Sequence, residues 1–488
     1  MCCTGLMLFR RLLLLLTALA VGSCIRGEQD ALAESRIELV PCEAPDYRGD
    51  ARCGSYLVWE DRAARSGRQI AINLVVLPAL GTRRPDPVFY FDGGPGAAAT
   101  GATGYLARLL RDVHQHRDLV FIDIRGTGRS NPLTCPAPPA DAPLQAHFEE
   151  FLSDTYVRAC LAHQTADVRF YTQPLAMDDV NEIRAALGYD RINLYGASGG
   201  TRQEQIYMKR HGSTVRTVVM HGVHAMDGEM PLPFSRALED GLRGLIDACG
   251  REEGCRTRYP DLRGDWQAVK QRFENGPVEA SVAHPHTGQR QTVRITKGVY
   301  ADGLRHLLYN LNGAATVPAE LHRAARGDFG PFAARELEQS ARFARVLSHG
   351  LFITATCAED VAFIDEEDVR RATAGTFLGD YRVRRQQAAC RIWPKGEGID
   401  PDFQKPVTLD VPVLIVSGEF DTATPPSEAA RVAEYLPNAR HVVFPNQAHD
   451  LTNPGCASAL ITQFIHSGSS RSLDTTCVAE TRRPAFRW

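Results

Sequence analysis

The residue best placed to carry out chemistry is Ser198, which lies in the sequence GASGGT. Small residues on both sides of a serine permit a sharp turn from a strand into a helix, and this turn lifts the hydroxyl above the sheet. The apolar segment 192–195 predicts the strand, and segment 205–211 predicts the helix. Ser198 is therefore predicted to be a nucleophile for acyl transfer, and the N–H of Gly199 is predicted to stabilise the oxyanion.

A glycine-rich loop upstream supports this interpretation. The apolar segment 87–91 predicts a buried strand, and the sequence DGGPG follows it. Pro95 has no N–H, so we expect Gly94 to be the second donor to the oxyanion. An amphipathic helix is predicted after this loop, with Tyr105 on its apolar face.

A third strand is predicted over residues 118–123, and it leads into the sequence IRGTGRS. This loop has neither the GxGxxG nor the Walker spacing, so we do not expect a nucleotide site. Asp123 and Arg125 are predicted to form a structural ion pair beneath the site.

The order of DGGPG, DIRGTGRS and GASGGT resembles that of the α/β-hydrolase peptidases related to proline iminopeptidase and the secreted tripeptidyl aminopeptidases. The resemblance implies an α/β-hydrolase fold, with a mostly parallel central sheet flanked by helices and a mainly helical inserted cap domain. One position departs from the family, because Asp92 stands where many relatives have histidine.

In this fold the acid and the histidine of the catalytic triad follow the serine in that order. Asp421 lies in the turn after the apolar strand 411–416, where the family carries its acid, and Glu419 is the alternative. His449 lies in the loop after the next predicted strand. Serine needs a base at neutral pH, so His449 would take the proton of Ser198 and Asp421 would orient His449.

The predicted core consists of residues 35–225 and 406–488, and residues 226–405 form the cap insertion. Helical patterns dominate the insertion, and a hairpin is predicted over residues 278–295. The resemblance implies that acids in the cap bind the free amino group of the substrate, and Glu359 and Asp360 are the candidates. The alternative is that these two acids face solvent.

The N-terminus indicates export. Two arginines precede the apolar run 12–20, which has the length of a signal-peptide core, so residues 1–24 are predicted to be a signal peptide. The sequence VGSC resembles a bacterial lipobox, in which Cys24 would be lipidated after cleavage. Cleavage without lipidation is the alternative.

The cysteines agree with export. Without Cys2, Cys3 and Cys24, ten of the 13 cysteines remain. An even number in an exported chain predicts disulfides. The sequence does not fix their connectivity, and we expect neighbours along the chain to pair. The alternative is that several of the ten are buried free thiols. The expected pairs are Cys42–Cys53, Cys135–Cys160, Cys249–Cys255, Cys357–Cys390 and Cys456–Cys477.

Composition excludes several classes of function. The net charge is −3, and no basic patch suggests a nucleic acid partner. No histidines or cysteines have the spacing of a zinc site, so we expect no metal and no cofactor. The chain is predicted to be an exported serine aminopeptidase that acts on peptides with a free N-terminus and meets a membrane only through a lipid at Cys24. A carboxylesterase or lipase-type hydrolase and a non-catalytic binding protein on the same scaffold are the alternatives.

Overall fold

The computed structural model describes residues 37–139, 141–450 and 454–488. The predicted signal peptide and Cys24 lie outside these residues. No helix among them is long and apolar enough to cross a membrane.

The strands of the described chain divide into one large sheet and one hairpin. They are β1 (Val40–Pro41), β2 (Arg52–Trp59), β3 (Gln69–Leu77), β4 (Val88–Phe91), β5 (Leu119–Ile122), β6 (Ile192–Ala197), β7 (Val215–His221), β8 (Val278–Ala283), β9 (Arg290–Ile295), β10 (Val413–Gly418) and β11 (Ala439–Phe444).

The large sheet has the strand order β1-β2-β3-β5-β4-β6-β7-β10-β11. The pairs from β5 to β11 along this order are parallel, whereas β1, β2 and β3 join by antiparallel pairing. Parallel strands covered by helices on both faces have continuous apolar sequences, as in β4, β5 and β10, where every residue is buried. This arrangement confirms the predicted α/β-hydrolase fold.

The helices are α1 (Thr103–Leu109), α2 (Arg111–His114), α3 (Asp154–His163), α4 (Gln173–Ala186), α5 (Gly200–His211), α6 (Pro233–Arg251), α7 (Glu253–Arg258), α8 (Leu262–Glu274), α9 (Lys297–Leu307), α10 (Leu311–Ala314), α11 (Val317–Ala325), α12 (Gly330–Val346), α13 (His349–Glu359), α14 (Glu366–Thr373), α15 (Tyr381–Ile392), α16 (Pro426–Tyr435) and α17 (Pro454–Ser467).

The segment between β7 and β10 contains helices α6 to α15 and the β8–β9 hairpin, and most of it packs around a hydrophobic cluster of its own. In β8 exposed and buried residues alternate, as expected of a hairpin with one covered face. Helices α13 and α15 are different, because Leu351, Ile353 and Ala389 pack into the cluster beneath the large sheet. The insertion is thus joined to the core through these two helices.

Five disulfides join the ten cysteines of the described chain, and the predicted neighbour pairing is confirmed. The Cys357–Cys390 bond links α13 to α15. The Cys135–Cys160 bond fixes the segment that precedes α3.

Two expectations about the core were wrong. Tyr105 is 48% exposed, because the chain forms two short helices here and the ring of Tyr105 lies outside their buried face. Arg125 does not pair with Asp123. Its Nε lies 2.6 Å from Asp179 on α4, whereas Asp123 accepts hydrogen bonds from Asn73, Thr100 and the N–H of Arg129.

Candidate active site

Ser198 lies at the turn from β6 into α5, as the sequence predicted. Its φ is +54°, a left-handed conformation that is strained for a residue other than glycine and typical of a nucleophile at such a turn. The backbone N–H of Ser198 donates to the carbonyl oxygen of His221 at 2.8 Å. The turn is therefore fixed to the carboxyl end of β7.

The loop between β4 and α1 lies directly beside the serine. A side chain at Gly199 would come within 3.2 Å of the backbone nitrogen of Gly94, so the two glycines are close neighbours. Both line the same cavity as Ser198. The N–H groups of Gly94 and Gly199 donate to no other residue in the described ranges, which leaves them free for a ligand oxygen.

Asp421 and His449 meet at the carboxyl ends of β10 and β11. His449 Nδ1 lies 2.7 Å from Asp421 Oδ2. The other oxygen of Asp421 accepts from the N–H groups of Ala423 and Thr424, both at 2.8 Å. Glu419, the alternative acid, is exposed and accepts instead from the N–H of Asn446 at 2.8 Å.

The environment sets the charges of this pair. Burial disfavours ionisation of Asp421, but His449 and the two N–H donors outweigh it, and the pKa of Asp421 is lowered. Burial likewise opposes protonation of His449, but Asp421 outweighs it and raises the pKa of His449. Because Asp421 holds Nδ1, the Nε2 atom of His449 is left to exchange a proton with a nucleophile.

His221 connects the histidine loop to the serine turn. Its carbonyl oxygen accepts from Ser198, and its ring Nε2 lies 3.1 Å from the carbonyl oxygen of His449. Gly222 follows it with a φ of +65°, and a side chain there would come within 3.0 Å of the ring of His449. Glycine at this position therefore gives His449 its space.

Ser198 opens into a cavity of about 1020 Å³ between the core and the insertion. Its volume is at the upper end of the range for sites that enclose small ligands. Part of its wall comes from residues 134–138 and 146–156, which precede the insertion and were not predicted to line the site. No local sequence pattern marks this segment, because the fold brings it to the cavity from a distance.

The structure places the two predicted amine-binding acids in different surroundings. Glu359 is fully buried away from the cavity, where its carboxylate accepts from the side chain and the N–H of Gln173. Asp360 lines the cavity, but Arg202 at 3.2 Å and His224 at 3.1 Å already hold its Oδ1 atom. The charge of Asp360 is thus compensated within the protein.

Three acids line the cavity without a partner in the described ranges, namely Glu149, Glu150 and Glu336. Glu336, on α12, differs from the other two because it lies beside Asp302. It makes no hydrogen bond or ion pair within the described part of the chain. Burial, together with the nearby Asp302, raises the pKa of Glu336 to about 8. Sequence reasoning missed Glu336, because a glutamate on an amphipathic helix has the same pattern whether it faces solvent or a cavity.

Asp302 beside it is fully compensated. Arg305 Nε lies 3.0 Å from one of its oxygens, and Arg382 Nη1 lies 2.5 Å from the other. The spacing of Asp302 and Arg305 on one helix is the only sequence signal for this cluster. Both arginines line the cavity, and because they share one carboxylate the cluster keeps one positive charge in the cavity wall.

Comparisons with known proteins show what the chain is similar to. Residues 375–477 match a family model described as TAP-like protein. The chain is 24% identical to the serine protease Hip1 of Mycobacterium bovis over 94% of this chain and 95% of that protein. It is 27% identical to the tripeptidyl aminopeptidase of Streptomyces lividans over 35% of each chain.

Among solved structures, the proline iminopeptidase of Mycobacterium smegmatis is similar with a TM-score of 0.41 and 18% identity, over 85% of this chain and 98% of that chain. The sequence similarities confirm the resemblance that the three motifs predicted.

Proposed function

We propose that this chain, which has an α/β-hydrolase fold and is similar to TAP-like serine peptidases, is an aminopeptidase with the triad Ser198, His449 and Asp421. The observation that carries the proposal is one cavity that contains both Ser198 and the unpaired carboxyl group of Glu336. A serine beside free N–H groups performs acyl transfer, and an unpaired carboxylate at a distance from it selects a cationic group of the substrate.

The reaction proceeds through an acyl-enzyme. Ser198 Oγ attacks the carbonyl carbon of the substrate while its proton passes to His449 Nε2. The N–H groups of Gly94 and Gly199 bind the oxyanion, and His449 returns the proton to the leaving amine. Water then repeats these steps and releases the acid product.

Glu336 replaces Glu359 and Asp360 as the proposed ligand of the substrate's N-terminal ammonium. The two predicted acids have their partners inside the protein, whereas the partner of Glu336 is missing. Glu336 is half-buried and has no partner among the described residues, and a substrate ammonium would supply one. Acids in the cavity wall also favour a peptidase over an esterase, whose pocket would be apolar.

The test compares free and N-acetylated peptide amides of one, two and three residues. Each charge-assisted contact contributes about 1.5 to 3 kcal/mol, so acetylation and Glu336→Gln should each lower kcat/KM by about 10- to 100-fold. The two losses should not multiply, since both remove one contact. Glu338→Gln is the matched control, because Glu338 is exposed on the same helix and lies outside the cavity.

Equal kcat/KM on free and acetylated substrates would reject the aminopeptidase and favour an esterase or an endopeptidase. A substrate preference that survives Glu336→Gln would reject Glu336 as the ammonium ligand. The longest substrate that is cleaved with its amino group bound also gives the number of residues released.

We also propose that the protein is exported, with lipidation at Cys24. Five disulfides support export, because such bonds persist in oxidising compartments. Cys24→Ser should then move the protein from the membrane to the soluble fraction of its exporting host. The same distribution for the wild type and Cys24→Ser would reject lipidation. Cleavage without lipidation would then remain, and N-terminal sequencing would identify the cleavage site.

A further inference from the structure

The turn between α9 and α10 connects the insertion to both catalytic loops. Thr422, next to the triad acid, donates its hydroxyl to the carbonyl oxygen of Arg305 at 3.2 Å. Asp450, next to the triad histidine, donates its N–H to the carbonyl oxygen of Tyr309 at 2.9 Å. Asn310 and Asp450 also form a parallel bridge. The loops that carry Asp421 and His449 are therefore held by the insertion as well as by the sheet.

Tyr309 adds a side-chain contact to these backbone bonds. Its ring lies against the imidazole of His449, with 5.3 Å between ring centroids and an angle of 49° between planes. Contact of this kind restricts the orientation of an imidazole and keeps water from one of its faces. Tyr309 also lines the cavity, so it separates His449 from part of that space.

The position of Tyr309 is itself fixed from inside the insertion. Arg305 donates to the hydroxyl of Tyr309 and is 1% exposed. Its guanidinium packs on Phe234 at 3.9 Å and binds Asp302, so it has little freedom to move. A rigid chain of contacts thus runs from the charged cluster of the cavity wall to the catalytic base.

From these contacts we infer that Tyr309 is a positioning residue for His449, through which the insertion completes the catalytic base. This inference rests on the proposed triad. His449 moves a proton between Ser198 and the leaving group, so its ring must keep one orientation through the reaction. Asp421 fixes one edge of the ring, and Tyr309 covers its face.

The test measures the rate at which a fluorophosphonate labels Ser198. In labelling, the Ser198 Oγ–phosphorus bond forms, fluoride leaves and the serine proton passes to His449. A small fluorophosphonate without an amino group does not need Glu336, so the rate reports the base and not substrate recognition.

Tyr309→Met removes the ring and keeps a flexible apolar side chain, and we expect labelling and kcat to fall by about 10- to 100-fold with KM nearly unchanged. Tyr309→Phe keeps the ring beside His449 but loses the bond from Arg305, so its loss should be smaller than that of Tyr309→Met. Tyr47→Met is the matched control, because the ring of Tyr47 also lies beside a histidine, His114, and Tyr47 lies outside the cavity.

The pH profile gives a second measurement. Burial is the largest influence on His449 and opposes its protonation, so opening one face of the ring to water should raise its pKa further. The acid limb of the labelling rate should therefore move to higher pH in Tyr309→Met and stay in place in Tyr309→Phe. A thermal melt of each variant, with Tyr309→Leu as a second ring deletion, separates this effect from unfolding.

Wild-type labelling and an unmoved acid limb in folded Tyr309→Met would overturn the inference. An equal loss in Tyr47→Met would also overturn it, since removal of any ring beside a histidine would then act alike. Labelling that persists in Ser198→Ala would instead reject the proposed triad, which distinguishes the two failures.

Discussion

Arg125 in the core and Glu336 in the insertion are ionisable side chains in different surroundings. Beneath the serine, Arg125 binds both oxygens of Asp179, at 2.6 and 2.9 Å, and donates its remaining N–H groups to backbone carbonyls. In the insertion, Glu336 faces the cavity with no partner in the chain as described. A carboxyl group without a partner is a candidate for binding a substrate only where it can be reached, and Glu204 in the core is fully buried with no side-chain partner among the described residues, whereas Glu336 is half-buried in the cavity wall. We therefore expect the core to supply the reaction centre and Glu336 to supply selectivity.

Tyr309 is an exception to this division of roles between the core and the insertion. It belongs to the insertion, yet its contacts resemble those of the core, because it is held by Arg305 and packs on His449. A part of the insertion thus serves the reaction centre. Variants of the two regions should differ in size of effect and in the kinetic constant that they change.

The largest effect is expected in the core. Ser198→Ala and His449→Ala should each lower kcat by about 10³- to 10⁶-fold on free and acetylated substrates alike, because the members of a triad act as a unit. Asp421→Asn should cause a smaller loss, since it leaves the serine and the imidazole in place. Kinetics on protein free of other hydrolases, with thermal melts to establish folding, give the measurement.

Glu419→Gln is the control for the acid, because Glu419 is exposed and bonds to a loop N–H instead of the histidine. A loss at Glu419 equal to that at Asp421 would assign the acid role to Glu419. Retention of activity in Ser198→Ala would place the reaction centre elsewhere.

A smaller effect on substrate selectivity is expected from a change of pH, and it should come from Glu336 in the insertion. Burial raises the pKa of Glu336 to about 8, so its ionised form, which binds an ammonium, becomes more populated as the pH rises towards 8. The ratio of kcat/KM on free to acetylated substrate should therefore rise with pH, by at most about tenfold per pH unit for one proton. Above about 8 the ratio should fall, because the α-amino group of the substrate loses its charge.

Both substrates depend on His449, so the titration of His449 cancels in the ratio of their kcat/KM values. The ratio therefore reports the titration of Glu336. The acetylated substrate alone should show the acid limb of His449, whose pKa is raised, so its activity is lost as the pH falls. Glu336→Gln should remove the pH dependence of the ratio below 8 and leave the acid limb of the acetylated substrate in place. A ratio that changes with pH in the same way in this variant would assign the titration to another group.

The sequence was most informative where function depends on local backbone. The turn at Ser198 needs small neighbours, and the donor loop needs glycines, so both left motifs that predicted the strands and the helix around them. Asp421 and His449 follow from the order of elements in the fold, and the structure brings them within 2.7 Å. The disulfides could be predicted from cysteines that are neighbours along the chain, because short loops keep the two ends of the chain segment close together.

The charges of the cavity could not be predicted in this way. Glu359 and Asp360 follow a cysteine in a family-like segment, but the direction of each side chain depends on Gln173 and Arg202, which are far away in sequence. Arg125 likewise pairs with Asp179 and not with Asp123, its near neighbour along the chain. Ion pairing depends on distance in three dimensions, and the sequence does not contain that distance.

The sequence by itself determined the hydrolase sheet, the elbow at Ser198 and the pairing of the cysteines, because each depends on residues that are close along the chain or on a fixed order of elements. Only the tertiary structure decided which acids line the cavity and which aromatic ring lies beside His449. Glu336 shares a cavity with Ser198, and Tyr309 contacts His449, only because the insertion packs on the core.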